Sequence, residues 1–230
     1  MNLPRQVQIE VSTRCNARCR FCVVTNGKVA ADMSWETFEQ ALGFVGPGCT
    51  VALFGAGEGL LHPRFLDMVW ACKERGAVAT VTTNGVPVSK WGAGALRAAG
   101  LDRIAFSIAG IGAEHERIQE VDSGEAWRNL GACAAAGIET KLVALLLGRN
   151  VLDGTVRVML EKARAAGADA VTMQEILAHE SWSFHAETLR AVPNRAELLA
   201  ALDGLATHAR QLGLVVEKNY DQRPTLGETR

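Results

Sequence analysis

The stretch Arg75-Gly76-Ala77-Val78-Ala79-Thr80-Val81 joins a helix-like segment to an apolar, β-favouring run through a single glycine. The same junction recurs at Ala99-Gly100 before Ile104-Ala105-Phe106, at Ala136-Gly137 before Lys141-Leu142-Val143, and at Ala166-Gly167 before Ala170-Val171-Thr172-Met173. A glycine just past the last turn of a helix takes the left-handed conformation that ends the helix. These junctions therefore predict that helices and strands alternate along the chain.

Two further apolar runs, at residues 7–11 and 51–54, precede the junctions, so six strands are predicted. Repeated βα units give a parallel sheet that is either open or curved into a barrel. We therefore predict an α/β fold, a partial (β/α)6 barrel of the TIM type with parallel strands. It forms one domain over residues 1–216, in which a last helix leads to a short apolar run at 214–216. A polar tail, 217–230, follows.

The charge balance of the chain excludes some partners. Its 230 residues include 24 basic and 25 acidic side chains, and no run of Lys or Arg indicates a nucleic acid or an anionic membrane as partner. No apolar stretch reaches the roughly 18 residues needed to span a bilayer. The first ten residues also lack the apolar core of a signal peptide. We therefore expect a cytoplasmic protein.

Three of the six cysteines are crowded into the stretch Cys15-Asn16-Ala17-Arg18-Cys19-Arg20-Phe21-Cys22, directly after the first predicted strand. In a chain without a secretion signal, such crowding indicates metal or redox chemistry. The three thiolates would suit zinc if a His or a fourth Cys completed the site. A [4Fe–4S] cluster normally uses four thiolates, so three would leave one iron open to a small ligand. The other cysteines, Cys49, Cys72 and Cys133, have no cluster spacing and are interpreted as structural.

The Cys-x3-Cys-x2-Cys loop, with an aromatic residue before the third Cys, resembles the signature of radical S-adenosylmethionine (radical SAM) enzymes. The run Phe54-Gly55-Ala56-Gly57-Glu58-Gly59-Leu60-Leu61-His62-Pro63 resembles the Gly-rich second motif of that family, and Thr82-Thr83-Asn84-Gly85 resembles the end of its third strand. Ser107-Ile108-Ala109-Gly110, followed by Glu114-His115-Glu116-Arg117-Ile118, is similar to a fourth-strand motif that commonly reads Ser-Ile-Asp-Gly and then His-Asp-x-Ile-Arg. The resemblance spans roughly residues 7–177.

The resemblance implies that Cys15, Cys19 and Cys22 each hold one iron of a single [4Fe–4S] cluster. The fourth iron would chelate the methionine part of S-adenosylmethionine (SAM). An electron from a reduced flavodoxin- or ferredoxin-like donor would cleave SAM to a 5′-deoxyadenosyl radical, which abstracts hydrogen from a small-molecule or peptide-derived substrate. The family also implies an oxygen-sensitive enzyme, and Arg18 and Arg20 could attract an acidic donor.

By the same resemblance, the loop of Gly55, Gly57, Glu58 and Gly59 would bind the amino group of SAM, with Asn84 and Ser107 as further polar contacts. Absent side chains let a backbone approach a ligand closely, although a Gly-rich loop can also be an ordinary turn. The chain departs from the family pattern in three places: Gly59 stands for the usual Pro, Ala109 for an Asp, and Val143 for a polar residue.

A polar and aromatic segment after the sixth strand is the expected substrate region; it contains Glu175, His179, Glu180, Trp182 and His185. We expect this segment to be mobile without substrate and to help close the site. Residues 134–230 contain no Cys, which disfavours family members that carry auxiliary clusters. Two alternatives stay open: an activase that installs a glycyl radical in a partner enzyme, and a non-enzymatic iron–sulfur or metal-binding protein on a degenerate barrel.

Overall fold

The computed structural model describes residues 3–22, 29–176 and 183–220. Its strands are β1 (Gln6–Gln8), β2 (Thr50–Ala52), β3 (Val78–Thr83), β4 (Arg103–Ile108), β5 (Glu139–Leu146), β6 (Ala170–Glu175) and β7 (Val215–Asn219). Its α-helices are α1 (Trp35–Leu42), α2 (Phe65–Glu74), α3 (Val88–Trp91), α4 (Ala93–Ala98), α5 (Ala113–Gln119), α6 (Ser123–Ala135), α7 (Gly148–Leu152), α8 (Thr155–Ala165) and α9 (Arg195–Gln211). Short 3₁₀ helices lie at Gly59–Leu61, Ser183–Glu187 and Leu189–Ala191.

The strands form one parallel sheet in which spatial order follows chain order, from β1 at one edge to β7 at the other. Residues from every strand, from Gln6 in β1 to Glu217 in β7, line one cavity of about 480 Å³. The sheet therefore curls around this cavity as a partial barrel whose two edge strands stay apart. This confirms the predicted α/β fold with parallel strands.

The strand count differs from the prediction, because the described residues form seven strands where six were expected. Val215 N donates to Asp169 O at 3.0 Å, and β7 pairs with β6 in parallel. Polar residues make this strand hard to recognise in the sequence. One of them, Glu217, accepts hydrogen bonds from Lys141 and from the Thr172 hydroxyl, each at 2.7 Å. The expected start of the polar tail at residue 217 thus falls inside β7.

The predicted helix-to-strand junctions are confirmed, since their glycines all have positive φ: Gly76 (68°), Gly100 (93°), Gly137 (76°) and Gly167 (93°). Side chains from the helices and from the outer face of the sheet form the core; Phe65, Phe106, Leu130, Met159 and Leu198 are all completely buried. Within the described ranges, no helix has both the length and the apolar content that crossing a bilayer requires.

Candidate active site

The cysteine loop lies at the carboxyl end of β1, and hydrogen bonds close its base. Thr13 N donates to Ala31 O at 2.9 Å, and Ser12 Oγ donates to Asp32 Oδ1 at 2.8 Å. Asp32 also pairs with Arg14 at 2.7 Å. These contacts bring together the two ends of the segment that carries the cysteines, although residues 23–28 within it lie outside the described part of the chain.

Helix α5 holds the middle of the cysteine loop. Arg18 N donates to Gln119 O at 3.1 Å, and Arg20 N donates to Ile118 O at 2.9 Å. Cys19 therefore lies between two backbone hydrogen bonds to the carboxyl end of α5. The Gln119 side chain, which is 2% exposed, donates from Nε2 to Cys19 Sγ at 3.8 Å.

The thiols differ in environment: Cys15 is exposed, whereas Cys19 and Cys22 are partly buried. Burial raises the pKa of Cys19 to about 12, and the hydrogen bond from Gln119 counteracts this shift. Among the described residues, no three His, Cys, Asp or Glu side chains stand at metal-binding spacing. Ligands are rarely gathered before the metal binds. The donor set itself, three thiols in one short loop at the sheet rim, fits an iron–sulfur cluster.

The glycine loop after β2 packs directly against the start of the cysteine loop. A Cβ added at Gly57 would overlap Ser12 O and lie 2.7 Å from the Thr13 backbone. A Cβ at Gly55 would lie 2.5 Å from Glu10 Cγ, and one at Gly59 would lie 2.5 Å from Leu53 O. Gly55 and Gly57 therefore permit close packing of the glycine loop against the segment that leads into the cysteine loop, whereas Gly59 permits a close contact with the end of β2; the sequence interpretation did not include these packing roles.

Glu58 is 3% exposed and holds the glycine loop to the end of β3. Its Oε2 accepts from Asn84 N at 2.8 Å, and its Oε1 accepts from Leu60 N at 3.3 Å. Burial raises the pKa of Glu58 to about 7, while hydrogen bonds from Asn84, Thr83 and Leu60 oppose the shift. Both carboxylate oxygens are thus engaged within the protein.

Asn84 and Ser107 lie at the same rim, where the carboxyl ends of parallel strands meet. Asn84 is 6% exposed, and its Nδ2 donates to Asn16 Oδ1 in the cysteine loop at 2.8 Å. Ser107, near the end of β4, is partly buried, and its carbonyl accepts from Gln119 Nε2 at 3.2 Å. The predicted residues therefore surround one site, and Asn16 and Gln119 are additional members of it.

The sequence interpretation missed Gln119, although a signal was present. Gln119 directly follows Ile118, at the position where the common His-Asp-x-Ile-Arg pattern has Arg. Its partner Cys19 is 100 positions away along the chain, so only the folded arrangement reveals the contact.

Residues 183–191 form a cap over the cysteine loop, and the expected substrate and closing region overlaps this cap at His185. Phe184 is 1% exposed, and its ring centroid lies 5.8 Å from that of Phe21. Glu187 pairs with Arg20 at 3.0 Å and also with Arg117. This packing favours a cover that is in place before substrate binds.

Only part of the expected substrate region is described. Glu175 is buried and pairs with Arg190 at 3.3 Å, and His185 lies in the Ser183–Glu187 helix, where its carbonyl accepts from Thr188 N at 3.0 Å. His179, Glu180 and Trp182 lie outside the described residues. The expected mobility of this segment therefore stays a prediction.

The concave face of the sheet is lined by polar side chains. Arg103 pairs with Glu139 at 2.8 Å, and Lys141 pairs with Glu217 at 2.7 Å. Val143, one of the departures from the family pattern, lines the same cavity.

The three other cysteines, Cys49, Cys72 and Cys133, are all buried, which agrees with their structural interpretation.

Some known proteins resemble this chain in sequence, and others resemble it in fold. Residues 9–163 match the family model of the Radical SAM superfamily. A tungsten-containing aldehyde ferredoxin oxidoreductase cofactor-modifying protein of Pyrococcus furiosus is 32% identical over 108 residues, 45% of this chain and 30% of that protein. A GTP 3′,8-cyclase of Mycobacterium sp. (strain KMS) is 31% identical over 170 residues, 66% of this chain and 47% of the cyclase. The matches thus span less than half the length of these relatives.

Solved structures of low sequence identity share the fold. SuiB of Streptococcus suis bound to S-adenosylmethionine superimposes with a TM-score of 0.75 at 15% identity, over 96% of this chain and 51% of SuiB. The protein anSMEcpe with bound AdoMet gives a TM-score of 0.74 at 17% identity, over 94% of this chain and 64% of that protein. Nearly the whole chain therefore superimposes on part of each of these proteins.

Proposed function

This chain belongs to the radical SAM superfamily of enzymes, and we propose that it binds one [4Fe–4S] cluster and reductively cleaves SAM. When bound, the cluster and SAM would supply a 5′-deoxyadenosyl radical, which abstracts hydrogen from a small-molecule or peptide-derived substrate. One observation carries the proposal: hydrogen bonds join the cysteine loop, the glycine loop and the ends of β3 and β4 into a single site.

In this proposal Cys15, Cys19 and Cys22 are the cluster ligands. Their loop is held from two sides, because its base is closed on Asp32 and its middle is bonded to α5. A loop held in this way needs only its side chains to rearrange when the cluster brings the three sulfurs together.

The glycine loop would contact SAM through its backbone. The space that absent side chains leave at Gly55 and Gly57 is filled by the neighbouring strand and loop, so ligand contacts would use backbone groups on the open side. Glu58 acts by positioning, since its oxygens hold Leu60 N and Asn84 N. Asn84 and Ser107 would contribute contacts from the strand ends.

Water would be kept out mainly by the cap. Phe184 packs on Phe21, the residue before Cys22, and Glu187 joins the cap to Arg20. Exclusion of solvent protects a reactive intermediate from side reactions. Arg18 is exposed and could meet an acidic flavodoxin- or ferredoxin-like electron donor.

Both substrate classes have support. SuiB is known in complex with the precursor peptide SuiA, and anSMEcpe in complex with a peptide. The names of the relatives found by sequence indicate other substrates: GTP for the cyclase and a cofactor for the cofactor-modifying protein.

The test is anaerobic reconstitution with iron and sulfide, followed by measurement of 5′-deoxyadenosine formed from SAM under reducing conditions. We expect about four irons per chain and formation of 5′-deoxyadenosine. Replacing Cys15, Cys19 or Cys22 by Ala should abolish both, whereas Cys133→Ala, at a buried core position, should retain them. Stoichiometric zinc in protein purified without oxygen would contradict the proposal. Cluster binding without SAM cleavage would favour the non-enzymatic alternative.

A further inference from the structure

Gln119, the last residue of α5, has a side-chain amide whose orientation is determined by its neighbours. Its Oε1 accepts from Ala109 N at 3.1 Å. A backbone N–H can only donate, so the oxygen of the amide must face Ala109. The amide nitrogen therefore faces the opposite way, toward Ser107 O at 3.2 Å and Cys19 Sγ at 3.8 Å.

The backbone around Cys19 keeps this contact in place. The residues on either side, Arg18 and Arg20, both donate from their backbone N–H groups to carbonyls of α5, at 3.1 and 2.9 Å. Gln119 is 2% exposed, so its amide is almost inaccessible to solvent. The donor is thus held against the sulfur by the fold.

We propose that Gln119 is a positioning residue that hydrogen-bonds the Cys19 sulfur in the cluster-loaded protein and raises the reduction potential of the cluster. The inference rests on the proposed function. A reduced cluster carries one more negative charge, and an N–H donor to a ligand sulfur stabilises that charge. A neutral amide does so without placing a full charge in a buried site, which would be costly.

The test is a redox titration of the anaerobically reconstituted full chain without SAM, followed by electron paramagnetic resonance of the reduced cluster. Gln119→Met removes the donor at similar side-chain length, and Gln119→Glu, titrated at alkaline pH where its carboxyl is ionised, replaces the donor with a negative charge. We expect a lower reduction potential in Gln119→Met and a still lower one in Gln119→Glu. Gln40→Met makes the same chemical change at an exposed position of α1 and should leave the potential unchanged.

Each outcome decides the inference. A fully iron-loaded Gln119→Met protein with the wild-type potential would overturn it. If Gln119→Met fails to load, the potential of Gln119→Glu decides, and failure of both variants to load would show that Gln119 only holds the loop. A wild-type protein that binds no cluster would instead refute the proposed function, which separates the two failures.

Discussion

Asn84 Nδ2 donates a hydrogen bond of 2.8 Å to Asn16 Oδ1, which joins the end of β3 to the cysteine loop. The Asn84 backbone N–H donates at the same time to Glu58 in the glycine loop, at 2.8 Å. One residue therefore connects the three segments for which the sequence predicts cluster and SAM binding.

Replacing Asn84 by Ala should loosen the cysteine loop. Loss of the buried amide should lower the free energy of unfolding by about 1–3 kcal/mol and reduce the iron retained after reconstitution. Asn129→Ala is the matched control, because Asn129 donates at 2.8 Å to the carbonyl of Gly85, the residue after Asn84. It should lower stability but keep wild-type iron content, and equal iron loss in both variants would refute the specific link.

Gly57→Ala should destabilise the protein, because the new methyl group would collide with the backbone of Ser12 and Thr13. Overpacking of this kind costs about 1–3 kcal/mol, measurable by urea unfolding, and should also displace the cysteine loop. Gly94→Ala in α4 provides the contrast, since its added Cβ would meet no atom within 4 Å. There the gain in helix propensity should stabilise the protein by up to about 1 kcal/mol, and a similar loss in both variants would contradict the packing argument.

The stability of the protein should depend on pH through Glu58. Burial raises the pKa of this carboxyl from 4.5 to about 7, so the folded state binds the proton more tightly than the unfolded state. The resulting stabilisation is complete below the unfolded pKa and is lost as the pH rises through about 7, a change on the order of 3 kcal/mol.

Glu58→Gln does not titrate at this position, so urea unfolding of the cluster-free variant and wild type should reveal the effect. Relative to wild type, the variant should become more stable as the pH is raised from about 5 to about 8. A difference that stays constant across this range would show that Glu58 keeps an ordinary pKa in the folded protein.

Phe184→Ala should expose the cysteine loop. Truncation of a buried Phe costs about 3–5 kcal/mol, and removing its contact with Phe21 opens the cap beside Cys22. We expect the reconstituted cluster to bleach faster in air, as followed by its visible absorbance. Phe44→Ala, at a side chain that is 62% exposed, should bleach at the wild-type rate.

Hydrogen exchange distinguishes a preformed cap from the mobile lid that the sequence suggests. The Thr188 N–H donates to His185 O, and its residue is 1% exposed. We expect strong protection at Thr188 with SAM alone, before substrate is added. Rapid exchange there that slows only with substrate would instead support closure by the substrate.

Short-range patterns in the sequence determined the fold class of this protein. The glycine of each helix-to-strand junction acts within one turn of its own helix, so Gly76 and Gly167 could be recognised without knowing any distant contact. The spacing of Cys15, Cys19 and Cys22 is equally local. The sequence does not predict β7, because a charged residue such as Glu217 is not expected on a strand face that lines the barrel. In the folded chain Lys141 and the Thr172 hydroxyl donate hydrogen bonds to Glu217.

Tertiary structure alone decided how the site is assembled. Asn16 contacts Asn84, which is 68 positions away in the sequence. Cys19 contacts Gln119 at a separation of 100 positions, and Arg20 contacts Glu187 at a separation of 167. Such pairs form because parallel strands place their carboxyl ends at one rim and curvature of the sheet brings the loops of that rim together, and no local pattern encodes which side chains will meet there. The sequence by itself predicted which segments would carry the chemistry, and the folded chain determined that Gln119, Asn16 and Phe184 contact them.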